Sequence, residues 1–274
     1  MGKTMTDEEF GRIYRFLKNK YGIDMFRKKE IMQGRLENYV QAHGYLDYQD
    51  YMNAVELDYT GKLEAELVNI LTTNHTFFMR EFEHFDFLQR VVLPELRMKE
   101  ERTKDLCIWC GASSTGQEPY MLAMLLMDFF GLEHGQWDTK VLATDISTQV
   151  LEHALRGIYE AEQIAVLPDH WKRRYLRPLE GGAYYEICDE IKQEVLFRQF
   201  NLMDIFPFKR KMHIVFLRNV MIYFDKETKR QLMKKVYDSM EPGGYLFVGQ
   251  TETIDRENVP FELIRPSIFR KAGG

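Results

Sequence analysis

Apolar positions recur at helical spacing through the first part of the chain, and then give way to alternating strands and helices. Phe10, Ile13, Tyr14, Leu17 and Tyr21 fall on one helical face. Thr6-Asp7-Glu8-Glu9 ahead of them is a capping box, and Gly22 ends the helix. A second helix is expected from about residue 27 to 43, with Ile31, Leu36, Tyr39 and Val40 as its apolar positions. Aromatic-rich short helices are expected over 47–59, and Leu63, Leu67, Ile70 and Leu71 mark another. Residues 1–75 therefore read as an all-helical domain. It runs without a Gly/Pro/Ser-rich linker into a second domain at 76–274. Across the junction runs Thr72-Thr73-Asn74-His75-Thr76-Phe77-Phe78-Met79-Arg80-Glu81, polar residues interrupted by two aromatics. An amphipathic helix then carries Phe85, Leu88, Val92 and Leu96 to about Lys99.

From Asp105 onward the pattern is that of an α/β domain. Strands are expected at 105–110, 139–144, 212–217 and 244–249, with a last one near 267–271. Helices are expected at 117–130, 147–155 and 226–240. Between 176 and 200 the rhythm breaks. Gly181-Gly182 is flanked by Ala183 to Ile187 and by Glu194 to Phe200, which predicts a small antiparallel β insert with a hairpin.

The stretch Leu106 to Tyr120 carries the strongest local signal. It reads as a buried strand, a loop of small residues from Gly111 to Gly116, and a helix opening with Pro119 in its first turn. Such a strand–turn–helix unit lets backbone approach a nucleotide-like cofactor and offers it free N–H groups. The next strand ends in Asp145, where an acid accepts hydrogen bonds from ribose hydroxyls. A full G-x-G-x-x-G is missing, since only Gly111 and Gly116 remain, and this argues against a nicotinamide dehydrogenase.

Composition narrows the function class. The 274 residues are 45% hydrophobic and 29% charged, enough apolar content for a substantial core. The net charge of −5 is a poor match for a nucleic-acid binder. No apolar run approaches the roughly 20 residues a membrane span needs. Met1 to Met5 reads as a short leader rather than a signal peptide, and a cytoplasmic protein is expected. Cys107 and Cys110 form a CxxC, but in a strand residues three apart point to opposite faces. Together with Cys188 they read as buried thiols, and no metal site is expected.

Five motifs stand in order: TTNHTFFMRE, CGASSTGQEPY, ATDIS, NLMD and LRNVMIYF. Together they resemble the chemotaxis-receptor glutamate methyltransferases, the CheR family, over nearly the whole chain. The resemblance implies an α/β fold: a class I, Rossmann-like S-adenosylmethionine-dependent methyltransferase sheet with an N-terminal helical domain and a small antiparallel β insert. It implies a protein-glutamate O-methyltransferase that uses S-adenosylmethionine, releases S-adenosylhomocysteine, and esterifies glutamates on the cytoplasmic helical bundle of chemoreceptors. By the same resemblance, Asn74, Thr76 and Arg80 line the cofactor and active-site pocket, and Glu118 takes the cofactor's amino group. Asp145 takes the ribose hydroxyls, Asn201 and Leu202 lie near the adenine, and Leu217, Arg218 and Asn219 close the pocket. Tyr223 sits near the transferred methyl. Two departures are visible. Gln117 stands where family loops commonly carry a first Glu, and Cys110-Gly111 replaces small residues. The insert also lacks the longer glycine-containing loop used to dock on a receptor tail, so direct recognition of the receptor helix is expected.

Several of these residues also admit plainer readings. Thr115-x-x-Glu118 is a possible capping box, Asp145 could cap the next helix in competition with Ser147, and Arg80 could pair with Glu81 or Glu83. Asn74, Thr76, Asn219 and Tyr223 could be ordinary turn and core residues, while His75 and His84 read as packing or hydrogen-bonding residues. Arg80 suits a bidentate clamp on an incoming carboxylate and, with Tyr223, is the candidate catalytic residue. A glutamate is already ionised near pH 7, so no strong general base is required, and the chain carries no Ser-His-Asp triad or HExxH. Arg27, Lys28, Lys29 and Arg35 predict a basic helical face that attracts an acidic substrate surface. A monomer is expected. The alternatives are a non-catalytic cofactor-binding signalling adaptor, or a methyltransferase of the same fold with another substrate.

Overall fold

The computed structural model describes residues 4–72 and 74–273. Met1 to Lys3 of the expected leader and Thr73 of the TTNHTFFMRE segment lie outside the described residues. Four helices come first: α1 (Asp7–Tyr21), α2 (Lys29–Ala42), α3 (Tyr48–Leu57) and α4 (Lys62–Leu71). Thr6 and Glu9 complete the capping box, and Gly22 caps the other end of α1 in the left-handed region at φ 71. Ile13, Leu17, Met32, Leu36, Tyr51 and Leu67 of these helices share one core. Next, α5 (Glu83–Phe87) and α6 (Leu93–Lys99) are joined by a π turn at Leu88–Val92, so the predicted amphipathic helix runs on with a bulge in it.

The remaining elements are β1 (Ile108–Gly111), α7 (Gln117–Phe130), β2 (Val141–Asp145), α8 (Thr148–Arg156), β3 (Ile158–Glu160), α9 (Ala161–Ile164), α10 (Asp169–Tyr175), β4 (Leu176–Leu179), β5 (Tyr184–Ile187), α11 (Asp189–Lys192), β6 (Val195–Gln199), β7 (Met212–Leu217), α12 (Lys226–Ser239), β8 (Met240–Val248), β9 (Phe261–Arg265) and β10 (Ile268–Lys271). The main sheet has the order β6-β2-β1-β7-β8-β10-β9. Its first five strands are parallel, and β10 pairs antiparallel with β8 on one side and β9 on the other. From β1 the chain builds outward through β2 to β6, then crosses back to β7 and builds the other way. Such a reversal opens a crevice at the carboxyl ends of the strands, here between β1 and β7. Alternate residues of β1 serve the two faces: Ile108 and Cys110 pack under α7, and Trp109 packs on the opposite layer with α12. Cys107 and Cys110 accordingly fall on different faces.

The insert differs from the expected hairpin over 176–200. Its sheet is β3-β5-β4, starting at Ile158 and ending at Ile187. Gly181 (φ 68) and Gly182 (φ 96) do make the turn, but Tyr184–Ile187 pairs back onto Leu176–Leu179. Val195–Gln199 instead lies parallel to β2 in the main sheet. The reason is burial: Val195 and Phe197 alternate inward, and Phe197 packs on Tyr120 of α7. Helix α11 separates that segment from β5. Strand β9 was not foreseen. Among the described residues no helix is long and apolar enough to cross a membrane.

Candidate active site

A cleft opens at the carboxyl ends of β1, β2, β6 and β7, lined also by Tyr21, Ile23 and Leu71 from the helical region. Each of these four strands contributes through residues at or just past its end. The β1 loop contributes Ala112 to Ser114, β2 contributes Asp145, β6 contributes Asn201, and β7 contributes Arg218 and Asn219. Bulk is kept out beneath the loop: a Cβ on Gly111 would lie 2.7 Å from Leu217 Cδ1 and 3.1 Å from the Trp109 ring. Gly116 has φ 95, and a Cβ there would meet the Tyr159 hydroxyl and Ala154 Cβ at 2.9 Å. Met79, Glu81, Ala112, Ser114 and Asn219 all have positive φ and all flank this cleft. Left-handed backbone at non-glycine residues is costly and gathers where function holds it.

Asp145 is buried, and its carboxylate is tied into the β1 loop. Oδ2 accepts from the Ser114 amide at 2.8 Å and Oδ1 from the Ser147 amide at 2.9 Å. Burial pushes its pKa up, against these backbone donors. The competing cap on α8 is Ser147 itself, whose hydroxyl accepts from Val150. The Ser114 hydroxyl donates to the Asn74 carbonyl at 2.9 Å, which pins the TTNHTFFMRE segment to the loop. Ser113 Oγ is buried on the cleft wall and has no hydrogen-bond partner among the described residues.

Glu118 does not cap α7; Gly116 is the N-cap and makes no side-chain hydrogen bond there. Glu118 Oε2 is ion-paired with Arg218, and Oε1 accepts from the Cys110 thiol at 3.1 Å. A thiol is a weak donor, so that oxygen keeps capacity for a stronger cation. Arg218, 6% exposed, also reaches Glu81 Oε2 at 3.2 Å and the Arg80 carbonyl at 2.6 Å. Burial would raise the Glu81 pKa, but the Arg218 guanidinium and the Asn219 amide hold it below its ordinary value. Beside this cluster His84 is buried, with Nε2 2.7 Å from Ser267 Oγ. Burial and Arg218 press its pKa down to about 4, outweighing the pull of Glu81.

Nine predicted residues line the cleft: Asn74, Thr76, Arg80, Glu118, Asp145, Asn201, Leu202, Arg218 and Asn219. Tyr223 joins them from the turn Met221–Tyr223 after β7. Leu217 does not; it is fully buried in the layer with Trp109, since strand alternation turns it away. Arg80 pairs with neither Glu81 nor Glu83. Its guanidinium donates to the His75 carbonyl at 2.9 Å and lies over Phe77. The Asn201 amide donates to the Lys20 carbonyl at 2.8 Å, so one of its groups braces α1.

The four basic residues do not form one helical face. Arg27 and Lys28 precede α2; Arg27 is exposed, and Lys28 Nζ lies 5.8 Å from the centroid of the Tyr223 ring. Lys29 is ion-paired with Asp7 at 2.5 Å. Arg35 turns inward and donates to the carbonyls of Leu71 (2.7 Å) and Thr72 (3.2 Å) at the end of α4. Sequence reasoning also overlooked Glu81, which pairs with Arg218, and Phe85, which lines the cleft. Glu81 closes a motif already singled out, and its position after Arg80 was the available signal.

A family model described as "CheR methyltransferase, SAM binding domain" matches residues 74–269, and one described as "CheR methyltransferase, all-alpha domain" matches residues 8–72. A chemotaxis protein methyltransferase of Borreliella burgdorferi is 36% identical over 97% of this chain and 95% of its own length. Proteins of the same description from Vibrio parahaemolyticus and Escherichia coli are each 32% identical. The first match covers 98% of this chain and 98% of the relative, the second 97% and 91%.

Proposed function

From the premise that this chain belongs to the CheR methyltransferase family, we propose that its cleft esterifies glutamate side chains on chemoreceptor helices. The chain is an S-adenosylmethionine-dependent methyltransferase of chemotaxis. The observation that carries the finer reading is the charge layout of the cleft. The cleft is lined by a buried acid, Asp145, beside small-residue backbone, by Glu118 paired with Arg218, and by the half-buried Arg80 and Tyr223.

These residues suit the cofactor chemically. The Ser113 hydroxyl, without a partner among the described residues, leaves polar capacity on the wall it shares with Asp145. Asp145 would accept from the ribose hydroxyls, and Glu118 Oε1 from the amino group, displacing the Cys110 thiol as its donor. When bound, the cofactor supplies a methyl carbon activated by a sulfonium. Arg80, anchored to the His75 carbonyl, is placed to hold an incoming carboxylate, and Tyr223 closes the approach. A free glutamate is ionised near pH 7, so positioning and the exclusion of water carry the reaction, without a side-chain base. Leu217 takes no part in this reading. The substrate partner is the cytoplasmic helical bundle of a receptor; a monomer in the cytoplasm fits that task.

The test is transfer of a tritiated methyl from the cofactor to receptor cytoplasmic fragments, followed by mild alkali. Volatile methanol is expected, because a carboxyl ester is base-labile. Base-stable label would point to N-methylation. Cofactor binding without transfer would indicate a regulatory adaptor.

A further inference from the structure

Glu252 belongs to none of the motifs and does not line the cleft, yet it is buried, 7% exposed. Its carboxylate is surrounded by backbone donors. Oε2 accepts from the amides of Asn219 (2.8 Å) and Gly249 (2.7 Å), and Oε1 accepts from that of Met221 (2.7 Å). The Ile222 amide also contributes. Three of these four donors belong to the turn that leaves β7. That turn begins with Asn219 in the left-handed region at φ 57 and ends at Tyr223. Several N–H groups converging on one buried carboxylate make strong, charge-assisted bonds.

The slot is shaped from the other side as well. A Cβ on Gly249 would lie 2.5 Å from Asn219 Nδ2 and 2.9 Å from Glu252 Oε2. With glycine there, the Asn219 amide is free to reach Glu81 Oε1 at 3.3 Å. Glu252 thus grips the turn from beneath while Glu81 receives its side chain from above. The loop at the Asp145 end of the cleft, Ala112 to Ser114, makes none of these contacts.

We propose that Glu252 is a positioning residue for methyl transfer. By holding the left-handed turn at Asn219, it sets where the Asn219 amide and Tyr223 stand at the mouth of the cleft. The inference rests on the reading of this cleft as the site of glutamate esterification. Because Glu252 makes no contact with Asp145 or its loop, its loss is expected to fall on the transfer step more than on cofactor binding.

The experiment compares full-length wild type, Glu252→Gln, Glu252→Asp and Gly249→Ala. It measures methyl-ester formation on a receptor cytoplasmic fragment, cofactor affinity by calorimetry, and Tm. Glu252→Gln puts a donor where an acceptor faces N–H groups. It is expected to lower kcat about 10- to 100-fold, as sub-ångström misplacement does. Cofactor Kd is expected to stay within about threefold, as Asp145 and its loop are untouched. Glu252→Asp, still an acceptor, is expected to recover part of the loss. Gly249→Ala keeps the Glu252 side chain but crowds both its Oε2 and the Asn219 amide, and is expected to show the same selective fall in kcat. Should Glu252→Gln fail to fold, Gly249→Ala decides alone: a normal kcat overturns the inference. It is overturned equally if Glu252→Gln keeps kcat within twofold, or if kcat, cofactor affinity and Tm fall in step. A wild type that binds cofactor but esterifies no glutamate overturns the underlying reading; an active wild type with unaffected variants overturns this inference alone.

Discussion

Arg218 is ion-paired with Glu118 across 100 residues of chain, and the same guanidinium reaches Glu81. One buried cation therefore holds together the end of β7, the start of α7 and the TTNHTFFMRE segment. Removing it leaves two largely buried carboxylates without their shared counter-charge. Arg218→Ala is expected to cost about 3–5 kcal/mol of stability, the usual result of stripping one partner from a buried ionic cluster. Urea unfolding measures it, and a loss below about 1 kcal/mol would refute the structural role. Arg218→Lys should fall between, because a point charge cannot fork to Glu81, Glu118 and the Arg80 carbonyl together.

Asp145→Ala is expected to weaken cofactor binding at least about tenfold, equivalent to ~1.4 kcal/mol. A 2′-deoxy cofactor should bind wild type more weakly, and the variant with no further penalty. Equal affinities for wild type and variant by calorimetry would remove Asp145 from the ribose site. The same substitution frees the Ser114 amide, so some loosening of the β1 loop is expected alongside.

His84 is expected to titrate near 4 in the folded protein, against about 6.5 unfolded. Because the folded value is the lower one, the unfolded chain binds more protons between these limits. The resulting stability is complete above about 6.5 and is lost as pH falls towards 4. Between pH 6.5 and pH 5 that loss is roughly 2 kcal/mol for this group. NMR titration of the ring measures the midpoint, and a value close to 6.5 would contradict the packing of His84 beside Arg218 and Ser267.

Arg35 and Arg27 should respond differently to charge reversal. Arg35 holds the last carbonyls of α4, so Arg35→Glu is expected to destabilise the helical region by about 1–3 kcal/mol with little dependence on salt. Exposed Arg27 is free of any such burial, and Arg27→Glu is expected to slow methylation at low ionic strength and to lose that effect at high salt. The same salt response from both would restore a common basic face.

Much of the architecture was legible because burial imprints a period on a sequence. The alternation from Asp105, the capping box at Thr6 and the small-residue turn at Gly111–Gly116 each have a local physical cause. Strand β7 and helix α7 fall where their patterns put them. The placement of Val195–Gln199 was not legible, because an alternating strand states that one face is buried and not which strand it will lie beside. Leu217 was assigned to the cleft along with its neighbours, yet successive strand residues face opposite ways.

What the sequence determined by itself is the order of elements, the small-residue turn at Gly111–Gly116, and the positions of Glu118 after that turn and Asp145 at the end of the next strand, since these follow from spacing along the chain. Only the tertiary structure decided which charges meet. It turned Arg35 inward, gave Arg218 two acidic partners, and set Glu252 under Asn219. The reason is that an ion pair or a carboxylate grip depends on distance and burial across the fold, and neither is written in the local pattern on either side.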